Sequence, residues 1–420
     1  MKSIRSIAYY IFTALILVSL FSCKDKENEE PKPLKHWEKV VICYMVAENT
    51  LSEAIKTDIN EMIEGASQLG DDECIVVYYD GAHKNDNPNI YLIDKNTTTL
   101  IPSYSFEHDQ NSCSKTVMKQ VFNYICSNYP AQSYGLVLSS HGTGWLPTKN
   151  DMKGSYSRRR AFGVDNGENS FSDNGDEMRI TDLAESIKEL PHLDFIFFDV
   201  CYMQSVEVAY ELRNCADYII ASPAEIPNYG APFDKVLSYL FTDEVDYKSF
   251  IDAYAVQCKG WKDYVLPKAS ETGIALSTVR CSKLQSLNEV TRKMMVKYAD
   301  NINECKNNGT TNYLNCKYGS YLIGFYDMRD MMFQMMNEDD FSEWVSAYNE
   351  AVPYYYVASG IFSENDSREI IATSPSCGGM SMSLYPSDSY EKSVISEYEG
   401  LEWRYRENLE INNSKLGMRN

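Results

Sequence analysis

The chain has 420 residues, of which 44% are hydrophobic and 24% are charged, so it has enough apolar material for a folded core and is not a disordered protein. Lysine and arginine number 39 against 60 aspartates and glutamates, which gives a formal charge of -21. Because phosphate backbones and anionic lipid headgroups attract basic surfaces, this charge argues against a nucleic-acid partner. The length suits two domains, or one large domain with an appendage.

The first residues of the chain have the pattern of an export signal. Lys2 and Arg5 precede an apolar run over residues 7–21, which is short for a membrane span. The run ends in Leu-Phe-Ser-Cys, which resembles the lipobox of bacterial lipoproteins, so we expect a signal peptide over 1–22 and a lipid on Cys23. An ordinary signal peptide with an incidental cysteine, or an uncleaved anchor, is the alternative. The lipid would anchor the protein to the outer membrane in the cell envelope.

A polar, proline-containing stretch over residues 23–36 predicts a tether. Short apolar runs then alternate with amphipathic stretches. The apolar runs predict buried strands over 40–47, 74–80, 134–142, 194–201 and 217–222, and the amphipathic stretches predict helices over 50–69, 115–129, 180–190 and 205–215. Thr50 or Ser52 is expected to cap the first helix. This alternation indicates an α/β fold with a parallel sheet covered on both faces, in which ligands bind beyond the carboxyl ends of the strands.

Two further regions stand out. The segment over residues 146–179 is long and polar, and loops of this length are usually functional or disordered. After residue 280 the alternation gives way to helical patterns over 281–299 and 329–348, a strand-like stretch over 379–386 and an aromatic-rich end over 398–409. We therefore expect an α/β domain over 37–280, which becomes the candidate catalytic domain below, and a helix-rich C-terminal lobe over 281–420.

The 12 cysteines show no CxxC pair and no short, even spacing. Several lie inside apolar runs, where a free cysteine behaves as a small core residue. The sequence therefore indicates neither a disulfide framework nor a zinc site, and it leaves a catalytic thiol open.

Two successive strands end in residues that can carry chemistry. The strand before residue 142 ends in His141 and Gly142, and the strand before residue 201 ends in Asp199 and Cys201. A thiol beside an imidazole is the minimum set for nucleophilic catalysis, because the thiolate attacks and the imidazole moves the proton. The backbone N–H groups of Gly142 and Cys201 could hold the developing oxyanion.

These residues carry a resemblance to a known family. An apolar strand followed by His141-Gly142, an apolar strand followed by Asp199-Val200-Cys201, and the stretch over 205–234 resemble the clostripain-like cysteine peptidases, a bacterial family with the caspase–gingipain fold. The resemblance implies a caspase-like three-layer sandwich and a His141–Cys201 dyad. It also implies that Asp199 lines the S1 pocket and selects Arg or Lys at P1. One departure is Val200, where relatives usually carry alanine.

The resemblance also gives the long loop a meaning, since family members often cut themselves between the catalytic histidine and cysteine. Basic residues within 146–179 are candidates for this cut: Lys153, Arg158, Arg159 and Arg160. We expect a monomeric enzyme, made as a zymogen, that acts on proteins or peptides with a basic P1 residue.

Other interpretations stay open. His83 follows the second strand and competes with His141 as the base. No cofactor is indicated, although the acidic, asparagine-rich residues 165–177 could bind Ca²⁺ without an ordered spacing. The chain could instead be a non-catalytic surface lipoprotein that binds glycans or proteins. Glycoside hydrolysis through Asp199 is less favoured because no partner acid is indicated.

Overall fold

The computed structural model describes residues 34–83, 87–148, 161–167, 170–242, 244–260, 272–302, 305, 309–318, 321–363, 369–384 and 392–403. Residues 36–420 form one compact unit, and of the unit before it only residues 34 and 35 are described. The predicted signal peptide and Cys23 therefore lie outside the described residues. Within the described ranges, none of the helices combines the length and the hydropathy that crossing a bilayer requires.

The described part of the chain alternates strands and helices. The strands are β1 Trp37–Ala47, β2 Glu73–Gly81, β3 Asn89–Ile93, β4 Pro102–Ser105, β5 Ala131–Ser139, β6 Phe162–Asp165, β7 Asp176–Met178, β8 Leu193–Asp199, β9 Ala216–Ala221, β10 Thr272–Gly273, β11 Ala275–Arg280, β12 Asn312–Tyr318, β13 Tyr321–Asp327, β14 Tyr354–Val357, β15 Gly360–Ser363, β16 Glu369–Ala372 and β17 Ser381–Ser383. The helices are α1 Ser52–Gly65, α2 Lys115–Asn128, α3 Ile180–Ile187, α4 Val206–Leu212, α5 Phe233–Val236, α6 Tyr247–Gln257, α7 Leu284–Lys297, α8 Met328–Met335, α9 Glu338–Ala351 and α10 Lys392–Gly400.

One large sheet organises the molecule, with the strand order β14-β11-β9-β8-β5-β1-β2-β3-β4. The five central strands, β9, β8, β5, β1 and β2, are mutually parallel. Antiparallel strands extend both edges, with β3 and β4 on one side and β11 and β14 on the other. The prediction of a mostly parallel sheet is confirmed.

Side chains of the central strands alternate between two cores, one on each face of the sheet. In β1, Val40 and Ile42 face a core that includes residues of α2, α3, α4, α7 and α9. Val41 and Cys43 face the opposite core, which includes residues of α1, α5 and α6. Because both faces are covered, the strands are apolar on both sides, and this is why they appear as continuous hydrophobic runs. The result is a three-layer α/β/α arrangement.

The predicted elements inside this sheet are confirmed, but three details were wrong. Helix α1 begins at Ser52 after Leu51, and neither Thr50 nor Ser52 caps it through a side-chain hydrogen bond. The helix predicted over 329–348 is two helices, because Asn337 starts α9 by accepting a hydrogen bond from the backbone of Asp340 at 2.9 Å. Within the loop predicted over 146–179, β6 and β7 form a short antiparallel pair.

The C-terminal residues pack closely against the catalytic half of the predicted division. Strand β14 belongs to the large sheet, and the backbone N–H of Ser381 donates to the carbonyl of Gln204 at 2.9 Å. Trp403 is fully buried against the ring of Tyr210 in α4, with centroids 5.3 Å apart. The boundary at residue 280 stays a prediction, while the contacts make the C-terminal residues part of the support behind α4.

We expect Trp403→Ala to lower the free energy of unfolding by about 3–5 kcal/mol, because truncating a buried tryptophan loses apolar burial and leaves a cavity. Urea denaturation followed by circular dichroism measures this change. The control is Val256→Ala, since Val256 is 75% exposed and its loss should change stability by less than about 0.5 kcal/mol. Equal midpoints for the two variants would contradict the role assigned to Trp403.

Candidate active site

The sheet brings the two predicted catalytic loops to one edge. Strands β5 and β8 are parallel neighbours, and their last residues, Ser139 and Asp199, are register partners. His141 and Cys201 each follow two residues later, so both lie just beyond the same edge of the sheet. Both line one cavity of about 450 Å³. The structure therefore places together the two side chains that the sequence analysis paired.

A tight turn presents Cys201 to this cavity. Tyr202 adopts φ +62°, the left-handed conformation, and is the only residue other than glycine with a positive φ in the described ranges. This conformation costs about 1–2 kcal/mol for a side chain with a Cβ. Hydrogen bonds from the backbone N–H of Tyr202 to Ala224 (3.0 Å) and from its hydroxyl to Glu225 (2.9 Å) hold the turn. The partly exposed Cys201 thiol is thus held by a strained and well-anchored backbone.

The Cys201 sulfur is also fixed from the side. The backbone N–H of Ile226 donates a hydrogen bond to Sγ at 3.5 Å. The carbonyl oxygen of Ile226 is 4.0 Å from the same sulfur. The segment after β9 therefore forms one wall of the cavity and orients the thiol.

Two residues hold the imidazole of His141. Its Nε2 lies 2.9 Å from Thr50 Oγ1 and 3.2 Å from Asp173 Oδ1. The Thr50 hydroxyl has one proton, and both carboxylate oxygens of Asp173 lie within 2.9 Å of it. When Thr50 donates to Asp173, its oxygen accepts from the ring, so Nε2 carries the proton in this arrangement.

Gly142 packs directly on the Cys201 turn. A Cβ at this position would lie 2.4 Å from Val200 Cγ1, 3.1 Å from Met203 Sδ and 3.2 Å from the carbonyl oxygen of Cys201. Only glycine fits this contact, which brings the backbones of the two loops together. Val200 is fully buried there, where the resemblance leads one to expect alanine. The oxyanion role of Gly142 and Cys201 stays a prediction.

Asp199 forms the floor of the cavity. It is 4% exposed and accepts hydrogen bonds at 3.2 Å from the backbone N–H of Ala231 and from the Tyr254 hydroxyl. Burial raises the pKa of Asp199 to about 6, although both hydrogen bonds favour the charged form. This carboxyl is therefore mostly ionised at neutral pH and mostly neutral below about pH 6.

The cavity as a whole is acidic. Four carboxyl side chains line it, and no lysine or arginine is among the lining residues that the structure describes. These four are Asp58, Asp173, Asp199 and Glu225. Such a lining attracts cations and repels anions.

His83, the competing base, is not among the residues that line this cavity. It is exposed, pairs with Glu53 and contacts the ring of Phe171. The geometry therefore favours His141. The candidate cleavage residues Lys153, Arg158, Arg159 and Arg160 lie outside the described residues.

A separate group of acids could hold a metal ion. Carboxylate oxygens of Glu48, Asp80 and Asp165 lie within 4.8 Å of one another, and all three residues are buried. Burial, followed by the neighbouring Asp165, raises the pKa of Asp80 well above its usual value. Ser112 donates hydrogen bonds to Asp80 and Asp165. The raised pKa of Asp80 also favours a protonated carboxyl, which would lower the charge of the group without a metal ion.

The sequence analysis missed Thr50, Asp173 and Asp58. Thr50 was interpreted as a helix cap, and Asp173 lies in a region without a periodic pattern, so no sequence signal identified either. Asp58 had a signal: it occupies the apolar face of α1 between Ile55 and Met62. An acid in such a stripe is seldom buried without a reason.

Comparison with known proteins agrees with this geometry. The model of the Clostripain family (Peptidase_C11) matches residues 43–398. This chain belongs to the clostripain family of cysteine peptidases. The family match begins within β1 and ends within α10, and it includes both predicted catalytic loops.

Individual members of the clostripain family are also similar. Clostripain from Hathewaya histolytica is 24% identical over 277 residues, which cover 55% of this chain and 51% of that protein, so the chain spans about half the length of this curated relative. A secreted C11 cysteine protease from Bacteroides thetaiotaomicron, solved with an irreversible peptide inhibitor, has a TM-score of 0.70 and 29% identity over 87% of this chain and 97% of that chain. An inactive zymogen C11 protease from Parabacteroides distasonis has a TM-score of 0.67 at 24% identity, over 87% of this chain and 96% of that chain. The caspase-like fold class is thereby confirmed.

We expect Thr50→Val and Asp173→Asn each to lower kcat by about 10- to 100-fold, because a misoriented imidazole transfers its proton less efficiently. KM should change little, since neither change removes negative charge from the cavity floor. Steady-state kinetics on a peptide substrate measure both values. Asp176→Asn is the matched control, because Asp176 follows in the same hairpin and bonds Asn111 instead. Wild-type kcat in both test variants would show that His141 needs neither partner.

Proposed function

We propose that this clostripain-family chain is a cysteine endopeptidase that cleaves after Arg or Lys, with Cys201 as nucleophile and His141 as proton donor. The observation that carries the proposal is the shared cavity, which joins a thiol, an imidazole and a buried carboxylate floor without a lysine or arginine among its described lining residues. Such a cavity can accept a basic side chain and hold the following peptide bond beside the thiol.

The chemistry follows from the arrangement of the two loops. The Cys201 thiol gives its proton to His141, its sulfur attacks the carbonyl carbon of the P1 residue, and the carbonyl oxygen becomes an oxyanion. Collapse of this intermediate breaks the C–N bond, while His141 gives that proton to the leaving amine and a thioester remains. A water molecule then attacks the thioester and gives a proton to His141; collapse breaks the C–S bond, releases the acid product, and returns the proton to the Cys201 sulfur.

Backbone groups would stabilise the oxyanion. We assign this role to the N–H groups of Gly142 and Cys201, because Gly142 lies against the Cys201 turn and carries no side chain that could block the approach. The strained conformation of Tyr202 supports the assignment, since it fixes the direction of the backbone next to the nucleophile.

Asp199 would select the basic P1 residue. A buried carboxylate pairs with a guanidinium through two parallel hydrogen bonds, or with an ammonium as a point charge. A cation binds only the ionised form, so affinity for a basic P1 side chain should fall as the pH falls through the Asp199 pKa of about 6.

We also place the enzyme at the cell envelope, lipidated on Cys23. The support is the signal sequence and its terminal cysteine. The relative from Bacteroides thetaiotaomicron is described as secreted, which agrees with export of this chain. Activation by self-cleavage at Lys153, Arg158, Arg159 or Arg160 completes the proposal, because these residues lie between β5 and β6, on the chain that joins His141 to Cys201.

The first test is hydrolysis of matched peptides that differ only at P1. Wild-type enzyme should cleave the Arg and Lys peptides, while Cys201→Ala or prior alkylation with iodoacetamide abolishes cleavage. No hydrolysis by the processed wild-type protein, or undiminished hydrolysis by Cys201→Ala, would favour the surface-binding alternative.

The second test concerns Asp199 and pH. The ratio of kcat/KM for basic over neutral P1 peptides should rise between pH 5 and 7 with a midpoint at about 6. Asp199→Asn should remove this rise and lower the ratio by about 10- to 100-fold, since a hydrogen bond to a charged group contributes about 1.5–3 kcal/mol. A pH-dependent ratio that survives in Asp199→Asn would assign the selection to another group.

The third test concerns self-cleavage. Purified wild-type protein should convert from one chain to two, and Cys201→Ala should remain one chain. Replacing the four basic candidates with glutamine should also prevent conversion, with Lys188→Gln as a control because Lys188 follows α3 outside the loop. Mass spectrometry of the fragments locates the cut. Equal processing of Cys201→Ala would overturn self-cleavage.

A further inference from the structure

Asp58 lies where a folded protein seldom places a carboxylate. It is 2% exposed and sits on the buried face of α1, whose other large buried residues are Ile55, Ile59 and Met62. The same side chain lines the cavity that contains Cys201 and Asp199. Its surroundings are therefore apolar on the helix side and open to the cavity on the other.

The protein gives Asp58 little compensation for its burial. Among the described residues, no hydrogen-bond donor reaches its Oδ1, and no lysine, arginine or histidine forms an ion pair with it. Glu61, one turn later on α1, accepts from the backbone N–H of Phe233 at 3.0 Å, and Asp199 has two donors. A buried acid without a hydrogen-bond donor costs folding free energy. A ligand bound in the cavity could supply the donor that the protein does not.

Asp58 and Asp199 border the same small space. A Cβ on Gly230 would lie 2.5 Å from Asp199 Oδ2 and 3.1 Å from Asp58 Oδ2. Gly230 adopts φ +65°, so glycine is favoured there and the space between the two carboxylates contains no side chain from this position. Two carboxylates from different elements, α1 and the end of β8, thus face one point at the cavity floor.

We propose that Asp58 is the second carboxylate of the P1 binding site, so that the guanidinium or ammonium of the substrate lies between Asp58 and Asp199. The proposal rests on the proposed cleavage after Arg or Lys and adds a specificity-determining residue to it. A guanidinium presents N–H groups on two edges, and an ammonium presents three N–H groups, so either cation can bond both acids at once.

The charge of this pair depends on its occupant. Burial and the neighbouring Asp199, and then Glu61, raise the pKa of Asp58 well above its usual value. Cys43 from β1 and Tyr254 from α6 also face the pair, and their own raised pKa values keep both uncharged. The raised pKa favours the protonated form of Asp58 when the site lacks a cation, and a bound basic side chain favours the ionised form.

The test compares Asp58→Asn, Asp199→Asn and Glu64→Gln. Glu64 is the matched control, because it lies on the same helix, is also an acidic residue and is exposed. Asp58→Asn should lower the ratio of kcat/KM for Arg or Lys over neutral P1 peptides by about 10- to 100-fold. Glu64→Gln should leave this ratio within about twofold of wild type, since exposed charges contribute little.

A binding measurement separates recognition from catalysis. Titration of benzamidinium into the Cys201→Ala protein should show weaker binding by about 10-fold or more when Asp58→Asn is added. Asp58→Asn should also unfold at the same or a higher urea concentration than wild type at pH 7, because it removes a buried acid without a donor. A clear loss of stability would instead identify a purely structural role and overturn the proposal.

The outcomes distinguish the two claims. If Asp199→Asn loses the basic preference while Asp58→Asn behaves as Glu64→Gln, the proposed function stands and the role of Asp58 is wrong. If neither aspartate variant changes the preference, cleavage after basic residues is not selected at this floor, and both claims fail.

Discussion

The register between β5 and β8 is the constraint on which the rest of the site depends. Gly135 faces Phe195 in this pairing, and a Cβ on Gly135 would lie 2.3 Å from the Phe195 ring. The ring therefore occupies the place of the missing side chain, and a shift by one residue would put Phe195 against a larger neighbour and turn every following side chain to the other face. Through four further pairs this contact sets Ser139 opposite Asp199. The two loops that carry His141 and Cys201 then begin at the same height.

Two groups of acidic side chains lie near this edge of the sheet. The cavity has carboxylates at its floor and rim, and a second acidic group (Glu48, Asp80 and Asp165) lies at the ends of β1, β2 and β6. The first group lines the cavity, so the basic side chain of the proposed substrate would neutralise it. The second is enclosed and is bonded by Ser112, which suits protons or a bound cation. If the floor binds a basic side chain as proposed, stability and function place opposite demands on it: buried acids destabilise the free protein, and a bound cation stabilises them.

The sequence predicted the centre of the fold better than its edges. The strands that precede His141 and Cys201, β5 and β8, are covered on both faces of the sheet, so their apolar runs are easy to identify in the sequence. The strands β3, β4 and β14 are only four or five residues long; β3 and β14 are partly buried and β4 is exposed, so none of them gives a long apolar run. Strand β14 also pairs with β11, which lies far earlier in the sequence. The site residues divide in the same way, according to whether a long apolar strand lies next to them in the sequence. His141, Gly142, Asp199 and Cys201 follow visible strands, whereas Thr50 and Asp173 meet only through the fold, 123 residues apart.

The order of strands in the sheet has a consequence for a cut anywhere between Thr148 and Ala161. Strands β1 to β5 would belong to the first fragment, and β8, β9, β11 and β14 to the second. The seam between the fragments would then be the β5–β8 pairing itself, with His141 on one fragment and Cys201 on the other. A cleaved enzyme would be a non-covalent heterodimer whose active centre straddles its own subunit interface. Its two chains could not be separated without dividing the sheet and the catalytic pair together.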